Sequence, residues 1–128
     1  MSKTIPLNML TEKIILKARQ RRVNFWFGQG TRPETCYWML WAFENKSETK
    51  GLGKYWLLKC LIVADMYNCP VSLFTYNAKL VKYYQKLGFK VLDYTGNPYM
   101  VREPRPVKET KRKLIEISRL LQSTKETF

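Results

Sequence analysis

Between Lys54 and Tyr67 the chain reads KYWLLKCLIVADMY, with only Lys54, Lys59 and Asp65 charged. A segment of that length and composition predicts a helix that is apolar around most of its circumference. Such a helix leaves almost no face for water, so other elements must pack around it. The rest of the chain has to supply those layers. Asn68 and Pro70 stop the helix, since proline offers no N–H and disfavours a helical residue before it.

The flanking segments alternate in type. Residues 10–20, LTEKIILKARQ, place Leu10, Ile14 and Lys17/Ala18 on one stripe, with Arg19, Arg21 and Arg22 at the C-terminal end, where cations suit the helix dipole. VNFWF (Val23 to Phe27) and TCYWMLWAF (Thr35 to Phe43), separated by GQGTRP, predict an antiparallel hairpin. The second run is apolar on both faces and is expected to be a central strand. A polar loop, ENKSETKGLG (44–53), leads into the long helix. Then VSLFTY (Val71 to Tyr76) predicts a strand, AKLVKYYQKL (Ala78 to Leu87) an amphipathic helix closed by Gly88, and FKVLDY (Phe89 to Tyr94) a strand. The turn Thr95 to Pro98 precedes a short strand, YMVR, from Tyr99. Pro104 and Pro106 mark a break before VKETKRKLIEISRLLQS, a basic helix with Leu114, Ile117 and Leu121 at helical spacing. Strands interleaved with helices predict an α/β or α+β sheet packed by helices.

A length of 128 residues suits one domain, and an apolar fraction of 45% excludes a disordered chain. There is no histidine, which excludes Cys/His zinc sites, Ser-His-Asp and Cys-His catalysis and any imidazole base; no metal is expected. Cys36, Cys60 and Cys69 have no CxxC spacing and read as reduced thiols of a cytoplasmic protein. No run reaches the roughly 18 apolar residues of a membrane span, and MSKTIPLNML lacks a signal-peptide core, so no membrane role is expected. The formal charge of +13 favours polyanionic partners: DNA or RNA, nucleotide-like cofactors or an acidic protein. It is spread evenly, with nine basic and four acidic groups in residues 1–50 and seven against three in each of 51–103 and 104–128. Only folding could gather it onto one face.

The chemistry-bearing unit is strand, glycine loop, long helix, strand, helix, strand. Gly51 and Gly53 would let backbone N–H groups approach an anion at a helix N-terminus, with Lys46, Lys50 and Lys54 nearby. A purely structural turn is an equally good reading of the glycines alone. The continuation adds a pattern. The stretch KGLGKYWLLKCLIVADMYNCPVSLFTYNAKLVKYYQKLGFKV resembles the acetyl-coenzyme A binding half of the GNAT superfamily of N-acyltransferases. That family reads R/Q-x-x-G-x-G/A opening a helix, then a strand, then N-x-x-A-x-x-x-Y-x-x-x-G-F. Here the loop is E-T-K-G-L-G (Glu48 to Gly53), and Asn77 is followed at the family's offsets by Tyr84, Gly88 and Phe89. The resemblance covers about residues 37–102. It departs from the pattern at Glu48, in place of Arg/Gln, and at Leu80, in place of Ala. The amino-terminal half is also shortened to about 35 residues before the central strand.

The resemblance implies a GNAT-like mixed, mostly antiparallel sheet flanked by helices, with a shortened N-terminal half and an extra basic C-terminal helix. Residues 1–103 would form the domain and 104–128 the basic helix. It implies that the backbone of Lys50, Gly51, Leu52, Gly53 and Lys54 holds the coenzyme A pyrophosphate, and that the strand ending at Phe43 pairs with the pantetheine arm. Asn77 would bond that arm, and Tyr84 would protonate the departing thiolate as general acid. The cofactor would be acetyl-CoA or a related acyl-CoA, and the acceptor an amine on a nucleic acid or an acidic, nucleic-acid-associated protein. In size the chain is similar to the reduced GNAT forms of phages. Glu34 and Glu44 flank the central strand as candidate bases, neither at a position the family specifies.

Simpler roles stand beside these. Asn77 also reads as the cap of the helix that starts at Ala78, a role compatible with binding. Tyr84 reads equally as a core aromatic, Tyr83 as exposed packing, the cysteines as small core residues, and Trp26, Trp38 and Trp41 as strand core or base-stacking surface. A catalytically inactive GNAT-like scaffold, binding nucleic acid or a partner through its basic surface, is the alternative function. Leu114, Ile117 and Leu121 could also pair two copies into a homodimer that completes an acceptor pocket.

Overall fold

The structure, a computed structural model, describes residues 7–29, 38–93 and 95–125. Among the described residues, four helices and five strands follow the order α1 (Leu7–Gln20), β1 (Val23–Gln29), β2 (Trp38–Asn45), α2 (Leu52–Met66), β3 (Val71–Phe74), α3 (Ala78–Lys86), β4 (Lys90–Asp93), β5 (Tyr99–Arg102) and α4 (Val107–Lys125). The strands form one mixed sheet in the order β1-β2-β3-β5-β4. Only β2 and β3 run parallel; the other three pairings are antiparallel. The fold is thus mixed α/β with a mostly antiparallel sheet, and β2 is internal, as its two apolar faces required.

Several ends differ from the sequence expectation. β1 continues through Gly28 and Gln29, which had read as the start of a turn, because both find ladder partners in Met39 and Trp38. β2 likewise runs on to Asn45, opposite Val23, so the polar loop starts later than Glu44. β3 stops at Phe74 rather than Tyr76, because the Thr75 amide bonds the Pro98 carbonyl and the Thr75 hydroxyl donates to Asn77 O. Thr35 to Tyr37, Cys36 and Tyr94 lie outside the described residues.

α2 is the hub. Trp56, Leu57, Leu58, Cys60, Leu61, Ile62 and Ala64 are all buried. Each fully buried leucine among them contributes roughly 1.5–3 kcal/mol of transfer free energy. α1 and the sheet pack on α2, and α4 lies across its outer side, with Leu114, Ile117 and Leu121 inward. Ile117 Cδ1 sits 3.1 Å from where a Cβ on Gly51 would lie. The stripe expected to pair two copies is therefore engaged inside the chain. Cys60 and Cys69 are buried core residues, and desolvation pushes the Cys60 thiol up to about 12, which leaves it unreactive.

Two expectations about aromatic residues are corrected. Trp26 is 46% exposed rather than core, because strand alternation gives Val23 and Phe25 the helix-covered face and turns Asn24 and Trp26 the other way. Tyr83 is half-buried and packs against the core, with its ring stacked on Phe43 at 6.4 Å. Trp38 is buried as expected; the Trp41 side chain lies outside the described ones.

Candidate functional site

The parallel pairing of β2 and β3 is short. Trp38, Met39 and Leu40 pair with Val71, Ser72 and Leu73, and then the strands part. From Trp41 onward β2 stays with β1, while Phe74 pairs with Tyr99 of β5. At the point of divergence the β1–β2 register shifts: Trp26 faces Ala42 and Phe27 faces Leu40, so Trp41 is an extra, bulged residue. A bulge bends and twists its strand. The result is an open wedge whose β2 side carries backbone groups without a strand partner.

A cleft of about 260 Å³ occupies the wedge, lined by residues of β2, the end of β3 and α3, including Leu40, Ala42, Phe43, Asn77, Leu80 and Tyr84. Asn77 serves as N-cap of α3: its side-chain oxygen accepts from the Lys79 amide at 2.9 Å, in extended geometry (φ −128°, ψ 117°). Its cap role occupies that oxygen. Seven residues on, Tyr84 lies two turns along the same helix on the inward face. Its ring is buried edge-on against Tyr83 and Phe89, at 5.2 and 5.6 Å. Desolvation pushes the Tyr84 phenol up to about 12. The Tyr83 phenol is raised further, by burial first and then by Tyr84.

Phe43 connects this cleft to the glycine loop. A Cβ on Gly53 would stand 2.8 Å from Phe43 Cζ and 3.2 Å from Asn45 Cβ, so the first turn of α2 comes this close to β2 only because residue 53 lacks a side chain. Gly51 is left-handed at φ 90°, which glycine adopts without penalty, and it begins α2 with no side-chain cap. At this helix start the Leu52 amide donates to Thr49 O and the Tyr55 amide to Gly51 O, while no side chain caps the turn, which leaves the Gly53 and Lys54 amides as its open donors. The loop before them is tied by Asn45, whose side chain donates to Thr49 O and accepts from the Ser47 amide. Glu48 is exposed and sits at φ 65°.

Phe43, Asn77 and Tyr84 therefore meet around one cleft, and Lys50, Gly51, Leu52, Gly53 and Lys54 form the adjoining turn, joined to it through Phe43. Glu44 is engaged elsewhere, accepting from Asn24 Nδ2 at 3.0 Å beside Lys46 at 3.5 Å, and Glu34 lies outside the described residues. Among the described residues no group of His, Cys, Asp or Glu is placed to hold a metal ion, and no helix is long and apolar enough to cross a membrane.

The sequence reading missed the polar network that anchors the helices behind this site. Arg102, 1% exposed at the end of β5, makes a bidentate pair with Asp65 of α2 at 2.7 and 3.0 Å. Arg102 Nε donates to Leu87 O after α3, and Nη2 donates to the Thr110 hydroxyl, which in turn donates to Asp65. The Arg105 amide donates to the other Asp65 oxygen. Asp65 was the visible signal: a lone carboxylate in a helix with little solvent face must find a cation.

No family model and no curated protein matches the chain. Among solved structures, one that is similar holds a mutant of the AtaT toxin bound to the C-terminus of the antitoxin AtaR and to acetyl-CoA. It is 14% identical with a TM-score of 0.48, over 70% of this chain and 59% of that one. The chain thus spans about three fifths of that toxin's length. The order of strand, glycine loop, helix, strand, helix and strand that carried the GNAT resemblance is the order seen from β2 to β4.

Proposed function

We propose that this chain is an N-acyltransferase on a shortened GNAT-like fold, taking an acyl group from coenzyme A to an amine. The observation that carries the proposal is the wedge between β2 and β3, open on one side to unpaired β2 backbone and on the other to the Tyr84 ring. An extended amide-bearing arm suits such an edge, because it supplies the hydrogen bonds that a strand would. The uncapped turn from Lys50 to Lys54 then receives the pyrophosphate, and the Asn77 amide NH₂ is free to bond the arm while its oxygen caps α3.

In the reaction the amine nitrogen attacks the thioester carbonyl, the C–N bond forms, the C–S bond breaks and the nitrogen sheds a proton. Tyr84 stays neutral across the physiological range and would serve as a donor to the sulfur of an acyl donor bound in the cleft. Full transfer from a phenol at about 12 to a thiolate whose conjugate acid is ordinarily near 8.5 is uphill by about 5 kcal/mol. Its role is therefore a hydrogen bond that strengthens as charge grows on sulfur, and the proton lost by the amine completes the thiol. A net charge of +13 disfavours polycationic acceptors and favours an amine carried by nucleic acid or an acidic protein.

One observation favours the second reading, a binding scaffold without turnover: Ile117 and Leu121 pack against Gly51 and wall one side of the phosphate turn. Thermal unfolding with coenzyme A separates the two. Saturation at 100 times Kd stabilises the fold by about 2.7 kcal/mol; no shift at millimolar ligand sinks the acyltransferase reading. Given a shift, Tyr84→Phe should lower acyl transfer tenfold or more with binding kept, and an unchanged rate removes Tyr84 from its role.

A further inference from the structure

Where the first turn of α2, the last turn of α3 and the middle of α4 converge lies another cavity, of about 210 Å³. Lys54, Lys86 and Lys113 line it, one from each helix, with Glu116, Ile117 and Leu120. Three lysines and one glutamate therefore line the same space. Lys113 Nζ donates to the Lys86 carbonyl, which fixes it at the C-terminal end of α3. Lys113 is also made harder to protonate, first by desolvation, then by Arg105, Arg102 and Lys54, with Glu109 opposing. The first turn of α2 has no acidic residue and no side-chain cap, so the helix end adds partial positive charge to the same region.

We infer that Lys54, Lys86 and Lys113 form a binding site for a phosphate group at the junction of the three helices. Like charges held together around a cavity are stabilised by a multivalent anion that each can reach, and lysine ammoniums serve as point-charge donors to phosphate. Donors arriving from three directions suit a tetrahedral group better than a planar carboxylate. The site gives α4 a role beyond cover: it brings Lys113 to a position that no residue of the β2-to-β5 unit occupies. Lys54 adjoins Gly53, which abuts Phe43 of the cleft. A phosphate here can therefore belong to a cofactor whose acyl end lies at Tyr84. That assignment of the source rests on the acyltransferase reading, whereas the phosphate site itself does not.

The test uses isothermal titration of the full chain at fixed ionic strength with three probes: inorganic pyrophosphate, coenzyme A and phosphate-free pantetheine. Lys113→Gln and Lys86→Gln should each weaken pyrophosphate and coenzyme A about tenfold, the size of one lost charge-assisted bond. Pantetheine should be unaffected, and Lys113→Arg should retain most of the affinity. Without ligand, Lys113→Gln should melt at the same temperature or higher, because it relieves repulsion; should it fail to fold, Lys86→Gln, at an exposed side chain, decides. Unchanged pyrophosphate affinity in the glutamine variants, or no pyrophosphate binding at millimolar concentration, overturns the site. Coenzyme A and pyrophosphate both bound equally by wild type and both variants overturn the site and leave the acyltransferase reading standing. Pyrophosphate binding that depends on Lys113, with no coenzyme A binding, sustains the site and removes the acyl-CoA reading.

Discussion

At the scale of single residues, the Asp65–Arg102 pair is the most exacting arrangement among the described residues, because both charges are out of water and every guanidinium nitrogen has a partner. Arg102→Met leaves the carboxylate with neutral donors only and should cost about 3–5 kcal/mol in urea unfolding; Asp65→Leu combined with Arg102→Met should recover most of that. A double variant as unstable as the single one would contradict this account. Gly53 poses the opposite problem, of space. Gly53→Ala gains up to about 1 kcal/mol of helix propensity, yet its Cβ meets Phe43 Cζ at 2.8 Å, and overpacking of this kind costs about 1–3 kcal/mol. Net destabilisation is expected, relieved by Phe43→Leu. The two phenols make a third case. Because burial raises Tyr84 to about 12, the folded state holds its proton more tightly than the unfolded chain, where it leaves near 10. Stability from this group is complete below pH 10 and is lost as pH rises toward 12, and Tyr84→Phe should flatten that stretch of the stability-pH curve.

At the scale of elements, Thr110 ties α4 to α2. Thr110→Val removes a donor to Asp65 and an acceptor for Arg102 and should cost about 1–3 kcal/mol, seen as a lower melting temperature with unchanged helix content. Among the described residues each helix and strand was readable in type from its apolar pattern, and Asn77 and Tyr84, which the GNAT resemblance set along one cofactor, line one cleft. What could not be read depends on partners distant in sequence. The bulge at Trp41 exists because β2 leaves β3 while keeping β1. Tyr83 reads as the solvent side of an amphipathic helix, and only the arrival of Phe43 makes it part of the core. The stripe Leu114, Ile117 and Leu121 announced a packing face, but whether it met a second chain or α2 was a tertiary outcome.

For the whole molecule, charge remains the dominant property. Self-repulsion among 23 basic groups against 10 acidic ones should weaken the fold at low ionic strength, so the melting temperature should rise between 20 and about 200 mM salt as screening shortens to below about 10 Å. A flat response would mean that the folded surface already balances its charges locally. The buried network carries a consequence in time as well as in energy. Asp65 is made early, whereas Arg102, Arg105 and Thr110 follow 37, 40 and 45 residues later. At a synthesis rate of about 5–20 residues per second, the carboxylate waits roughly 2–9 s for its last partner. Through that interval α2 cannot close over its charged end, and the nascent chain stays open to chaperones until α4 emerges.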